Sequence, residues 1–287
     1  MTSVVSSIVT GTLCTVMVAL GLSLRPGAMR QWGQRPGLVA RFLIGSCLLV
    51  PLLALLLLQM PWSEAISRPA RHGIALMALC PSAPLALRKA GDSGGDRQLA
   101  ALLQISAALA AALSIPLMGL AFRHTFQLQG WDVRPWDVAG QVLRVQVFPL
   151  LLGVVLRLRA PQLAQHLERP LNRLANLLLL ALLAVVLLKA GPQLFSYLAA
   201  NLAALPAMVL LSVAALLIGA AMAGEDGPER ATTALVSGMR NPGLALYFAG
   251  VHGGDLPGVK LVILGYVLVT VLVSMPFVRF TQKRNGL

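Results

Sequence analysis

Charge is scarce in this sequence: only 11% of its 287 residues are charged, and the ten acidic ones all fall between or at the ends of long apolar runs. With 57% hydrophobic residues and a mean hydropathy of +0.78, the chain has too little polar surface to be a water-soluble domain. The bilayer must be its solvent. At about 20 residues per spanning helix, nine or so crossings use up the length and leave no room for a separate soluble domain. Cysteine is also rare. Cys14, Cys47 and Cys80 each lie inside an apolar run, with no CxxC spacing and no histidine nearby, so buried free thiols are expected. His72, His124, His166 and His252 sit at or beyond the ends of runs without ligand spacing, and no metal is expected. No Ser/His/Asp, Cys/His or paired-carboxylate arrangement falls at membrane depth, so the chain does not read as an enzyme.

What charge there is follows one pattern. The net charge of +13 comes from 23 lysines and arginines placed almost entirely between apolar runs. That placement sets topology and needs no polyanion, so no nucleic-acid partner is expected. Apolar runs bounded by arginine, Gly-Pro pairs or tryptophan place nine spans, at about residues 3–24, 37–60, 72–87, 99–122, 138–156, 171–190, 195–222, 231–251 and 258–280. The first lacks the basic stretch of a secretory signal and reads as a retained helix. Fifteen basic residues fall in the loops of one side and six in those of the other, which puts the N-terminus outside and the C-terminus in the cytoplasm. Trp62, Trp131 and Trp136 at outer helix ends, and Trp32 in the first inner loop, suit interfacial anchors. A plasma membrane or bacterial inner membrane is the expected location.

The third and eighth spans are abnormal in matching ways. The third reads Cys80-Pro81-Ser82-Ala83-Pro84-Leu85-Ala86-Leu87, and the eighth Ser237-Gly238-Met239-Arg240-Asn241-Pro242-Gly243-Leu244-Ala245-Leu246. Proline removes an amide donor and clashes with the carbonyl one turn earlier, so each span should be a helix interrupted at membrane depth. The breaks at Pro84 and Pro242 are five spans apart. An odd offset flips orientation, which makes the halves inverted repeats: residues 1–130, with a break near 80–88, and residues 131–287, with a break near 237–246. Broken helices at matching places in inverted halves point to a binding site between them. The fold class expected is thus all-α integral membrane, about nine transmembrane helices in two inverted repeats, with a pair of crossed discontinuous helices.

Unwound backbone at such a crossing offers helix N-termini to an anion and free carbonyls to a cation. The candidate binding residues near it are Ser82, Pro84, Gln104, Ser106, Ser237, Arg240, Asn241 and Pro242. Arg240 stands out. A guanidinium at membrane depth costs several kcal/mol unless paired, and no carboxylate lies inside any span. Either its partner is an anionic substrate, or it snorkels to water or bonds carbonyls freed by Pro242. Arg144, near an outer helix end, is expected to snorkel. The small residues from Ala107 to Ser114 should let helices approach closely.

The residues also resemble a known family. Gly21-Leu22-Ser23-Leu24-Arg25-Pro26 is similar to the Gly-Leu-x-Leu-x-Pro of the bile acid:sodium symporter family, and Cys80-Pro81 to the Cys-Pro that opens its first broken helix. Gly238-Met239-Arg240-Asn241-Pro242-Gly243-Leu244-Ala245 resembles its Gly-Met-Gln-Asn-Ser-Gly-Leu-Ala. The resemblance implies a core domain holding the crossed helices, a panel domain beside it, and organic anions carried with sodium in the cleft between them. It also implies the nine-span form that lacks the first helix of the ten-span one. Two departures touch sodium. The glutamate and glutamine that the family resemblance places around Gly-Met are here Val236 and Arg240, and the Ser-Asn pair after the first break is missing. The expected function is therefore a secondary transporter of a small organic anion by alternating access, with the lipid bilayer as its other partner. No cofactor is expected; sodium is possible, and the lost ligands argue against it, which leaves a proton or no coupling ion open. Arg240 would stand as a tethered cation in sodium's place. The alternative is a transport-inactive membrane receptor or assembly partner.

Overall fold

The structure is a computed structural model that describes residues 2–25, 27, 33–83, 85–126, 135–224, 227–252 and 258–284. Of the positions singled out above, Pro26, Trp32, Pro84 and Trp131 lie outside the described residues. Helix α1 spans Thr2–Ser23, α2 Pro36–Leu57, α3 Arg68–Leu79, α4 Leu85–Asp92 and α5 Arg97–Phe126. Helix α6 covers 135–159, α7 Pro161–Ala200, α8 Ala204–Ala221, α9 Pro228–Gly238, α10 Pro242–His252 and α11 Val259–Arg284. Among the described residues there is no strand. Five helices, α2, α5, α6, α8 and α11, are long and apolar enough to cross a membrane, and α1 carries a shorter apolar stretch, Ser7–Ser23. The chain is a multi-pass helical membrane protein.

Two helices hold a widened π turn, Ile44–Leu49 in α2 and Leu143–Val147 in α6. Each ends two residues before a proline, Pro51 and Pro149. A proline inside a helix deletes one amide and pushes on the carbonyl a turn back, and a turn loosened by one residue relieves both. The bonds show it: the Val50 amide reaches back five residues to the Gly45 carbonyl. In the same register the Ser46 carbonyl would need an amide from Pro51, which has none.

Helices α1, α6 and α7 pack on one another. Where α1 crosses α6, Gly21 and Gly153 meet backbone to backbone: a Cβ on Gly153 would lie 2.3 Å from the Val18 carbonyl oxygen. Helix α5 fills the space between this group and the rest of the bundle. Its Ala107 and its Ala108 and Ala101 face two different core clusters, a close approach that small side chains permit. The main core lies among α2, α3, α5, α8 and α11, around Met77, Met208 and Tyr266.

One expected boundary moves. The Gly191-Pro192 pair was expected to sit in a loop between spans 171–190 and 195–222, but α7 runs through it unbroken to Ala200. A single proline inside a long helix costs one hydrogen bond and a kink, not a chain reversal. The reversal comes at Asn201, whose side-chain amide donates to the Tyr197 carbonyl at 2.9 Å and closes the helix end, so α8 starts at Ala204. The spans at 72–87 and 231–251 are each two half-helices, α3 with α4 and α9 with α10, as their prolines required.

Candidate functional site

The two breaks pair with each other. Cys80 ends α3 at φ −90°, ψ 95°, and Met239 ends α9 at φ −84°, ψ 97°. Each amide still bonds four residues back, Cys80 to the Leu76 carbonyl at 3.1 Å and Met239 to that of Leu235 at 3.0 Å. Each then gives its own carbonyl to the other break. The Ala83 amide donates to the Met239 carbonyl at 2.7 Å, and the Asn241 amide to the Cys80 carbonyl at 3.0 Å. The breaks satisfy each other's buried backbone, which hydrocarbon could not do. The match fails by one residue: Pro81, Ser82 and Ala83 stand between Cys80 and its proline, where only Arg240 and Asn241 follow Met239. Ser82 takes up the extra length in a left-handed conformation, φ 49°.

Arg240 fills the centre of the crossing. It is 2% exposed, so it does not snorkel. Its Nε donates to the Met77 carbonyl at 3.2 Å. Its Nη1 donates to the Ser46 carbonyl and hydroxyl, both at 3.0 Å, and to the Ser237 carbonyl at 3.4 Å. Its Nη2 donates to the Ala78 carbonyl. These acceptors share an origin. Pro51 deprives Ser46 of a backbone donor, and Pro81, four residues on, does the same to Met77. Ala78 and Ser237 lose theirs because the chain turns away at Ser82 and because the Asn241 amide is given to Cys80. None is a carbonyl that Pro242 frees, so the expected source was wrong while the kind of partner was right. Arg240 also sits at the negative ends of two half-helices, α3 and α9, which suits a cation with no carboxylate hydrogen-bonded to it among the described residues.

The other candidates divide. Gln104 on α5 donates through Nε2 to the Ala83 carbonyl, tying α5 to the first break, and its Oε1 has no partner. Asn241 caps α10: its Oδ1 accepts from the Leu244 amide at 3.1 Å, with Pro242 at the first helical position, while its Nδ2 is unpaired. The Ser82 and Ser237 hydroxyls are buried without partners. Ser82, Gln104, Arg240 and Asn241 are thus brought to the crossing. Ser237 brings its carbonyl to Arg240 while its side chain packs against Gly219 of α8, and the Ser106 hydroxyl bonds the Leu102 carbonyl of its own helix at 2.9 Å. Arg144 is exposed, in keeping with snorkelling.

A cleft of about 320 Å³ opens between α1, α7 and the corner where α4 meets α5. Arg97, Arg169 and Arg173 line it, together with Asn172 and Asn176. Its one carboxylate, Glu168, accepts from Nη2 of Arg157. Arg157 is buried and also donates from Nε to the Leu22 carbonyl at 2.6 Å, which joins the ends of α1, α6 and α7. A second hollow of about 240 Å³ shares Leu87, Arg97 and Glu168 with the first.

A family model, the sodium bile acid symporter family, matches residues 10–197. The chain belongs to this family. Its members are transporters rather than enzymes, so the protein is a transmembrane transporter by family. The matched segment takes in α1 from residue 10 on, the first break and most of α7, and stops short of the second break. No curated protein matches the chain. Within this symporter-family fold, the parts that sequence reasoning missed are the π turn at Ser46 and the Arg157–Glu168 pair. Pro51, in the middle of an apolar run, was the signal for the first. For the second, Glu168 stands three residues before the expected start of its span, and nothing in the sequence links it to Arg157.

Proposed function

We propose that the protein is a secondary transporter that carries a small organic anion by alternating access, and that Arg240 permanently occupies the place where the family resemblance expects sodium. The observation that carries this reading is the reciprocal bonding of the two breaks, Ala83 to Met239 and Asn241 to Cys80. Two half-helix ends in one conformation, each serving the other, are what inverted halves would produce at their meeting point. On this reading the halves are residues 1–130 and 131–287, nine spans cross a plasma or bacterial inner membrane, and the N-terminus is outside. Helices α1, α6 and α7 form the panel, the rest form the core, and the arginine-lined cleft between them opens to the cytoplasm.

Arg240 bears on coupling. Carbonyls at the C-terminal ends of half-helices are sodium ligands in discontinuous-helix transporters. Here a guanidinium already uses those of Met77, Ala78 and Ser237, and Val236 stands where the resemblance expects a glutamate. A bound cation would meet a fixed positive charge and no carboxylate. Transport is therefore sodium-independent, driven by the gradient of the anion itself or by exchange. The test is uptake by liposomes containing the purified chain, with a labelled bile-acid anion and smaller organic acids as probes. Saturable uptake that is unchanged when choline replaces sodium is expected. Protein-containing liposomes that take up no organic anion faster than empty ones would defeat the transporter reading.

A further inference from the structure

We propose that Gln98 is the inner gate of this transporter: its side-chain amide latches the end of α1 onto the start of α5, and the cleft widens when that grip is released. This deepens the transporter reading and rests on it. The first observation is the latch itself. Helix α1 ends at Ser23, and Gln98 lies in the first turn of α5. Its Oε1 accepts from the Arg25 amide at 3.0 Å and its Nε2 donates to the Ser23 carbonyl at 3.5 Å, so one side chain serves the last backbone groups of another helix. Ser23, Arg25 and Gln98 all line the hollow of about 240 Å³ that adjoins the larger cleft. One bond is long and the other is open to solvent, where water replaces a neutral amide with little loss. The neighbouring carbonyl is held differently. Leu22 accepts from Arg157, which is buried and also donates to Glu168 of α7. Arg157 thus fastens α1 to α6 and α7 by charge-assisted bonds, which are stronger than neutral ones. When these three helices part from α5, the bonds to give way are those of Gln98.

The second observation is the far end of α7, which is built as a pivot. Leu194 is fully buried, and Tyr197 packs on the main core. The Tyr197 ring lies on the backbone of Gly258, where a Cβ would fall 2.8 Å from its Cε2, and its Oη is 3.1 Å from the Ser67 hydroxyl. Ser67 stands at the N-cap position of α3 but caps no amide of that helix; its hydroxyl is paired with Tyr197 instead. Toward the other end of α7, Ala175 belongs to the cluster formed with α1 and α6. Between the two stretches stand Gly191 and Pro192. Pro192 leaves the Leu188 carbonyl without its helical donor, and a Cβ on Gly191 would meet nothing within 4 Å, so α7 can bend there without a clash. A group of helices anchored at one end and held by a neutral amide at the other opens at the amide.

The test needs no substrate. In nanodiscs, which leave both faces accessible, Leu20→Cys in a Cys14→Ser background puts a thiol on the buried wall of the cleft, and a water-soluble maleimide reads its opening. When opening and closing are faster than labelling, the rate follows the open population. Gln98→Leu keeps the bulk and loses both bonds, and labelling should quicken about tenfold, the worth of one net hydrogen bond. Gln98→Asn, one methylene too short to reach, should do the same. Gln282→Leu is the control. It removes an amide bond to the Asp92 carbonyl at 2.9 Å, which joins α11 to α4 and leaves α1 untouched, so the rate should not change. The buried Cys47 and Cys80 should stay unlabelled throughout. Unaltered labelling in both Gln98 variants would overturn the proposal. So would an equal rise in Gln282→Leu, or labelling of Cys47 and Cys80 in step with position 20, since Gln98 would then only cap α1 and steady the fold. Uptake in liposomes separates the two readings. Labelling that responds to Gln98 without any transport would sink the transporter and spare the gate, whereas transport with labelling indifferent to Gln98 would do the reverse.

Discussion

Replacing Arg240 by methionine keeps much of the side-chain volume and removes every donor at the crossing. The carbonyls of Ser46, Met77, Ala78 and Ser237 and the Ser46 hydroxyl all lose that bond. Two of these carbonyls have no local rescue, because Pro51 and Pro81 cannot donate. A buried acceptor left unpaired costs about 1–3 kcal/mol, so Ser46, Met77 and Ala78 together cost roughly 3–9 kcal/mol by the same measure. Removing the charge returns part of this, since a buried ion costs several kcal/mol to desolvate. The half-helix ends partly offset that desolvation in the native protein, so the refund is smaller than usual. The net expected is a loss of about 3 kcal/mol, or roughly 6–12 °C in unfolding temperature. Arg240→Lys keeps the charge but loses the planar fork, and should fall between the two. Cys47 and Cys80 are buried, so a maleimide fluorophore that lights up as they become exposed reports unfolding on heating. A methionine variant as stable as the wild type would refute the claim that Arg240 holds the crossing together.

Three further outcomes follow from local geometry. In Gly153→Ala the new methyl would sit 2.3 Å from the Val18 carbonyl oxygen, so α1 and α6 must part; a loss of about 1–3 kcal/mol is expected by thermal unfolding. Ser82→Gly should raise the unfolding temperature slightly, because the left-handed backbone there costs a non-glycine residue about 1 kcal/mol and the hydroxyl has no partner to lose. Asn241→Ala removes the cap on α10 and should cost about 1 kcal/mol in the same assay, with Arg240 still in place.

Much of this architecture was legible in the sequence because a bilayer leaves a chain few choices. Apolar runs near 20 residues had to be helices, and prolines at 81, 84 and 242 had to break two of them. The resemblance carried by Gly238-Met239 and Cys80-Pro81 pointed to the family that the match over residues 10–197 then established. What stayed hidden depends on partners distant in sequence. Arg240 could be recognised as anomalous, but its acceptors lie on α2 and α3, and only the pairing of Pro51 with Ser46 and of Pro81 with Met77 explains why they were free. The loop expected at Gly191-Pro192 failed for the opposite reason: a proline signals the loss of one bond, and whether a helix survives it is decided by the rest of its packing. The one-residue difference between the breaks, absorbed at Ser82, could not be read without coordinates.

The claim that a guanidinium stands where sodium would sit is tested most directly by titrating sodium against choline at constant ionic strength while following thermal unfolding. The double variant Val236→Glu, Arg240→Gln, which restores the two residues that the resemblance expects, is measured beside the wild type. The wild type should show no sodium-dependent shift, and the double variant should gain stability as sodium rises, since a ligand that binds only the folded state stabilises it by RT ln(1 + [L]/Kd). A sodium-dependent rise of several degrees in the wild type would contradict the account.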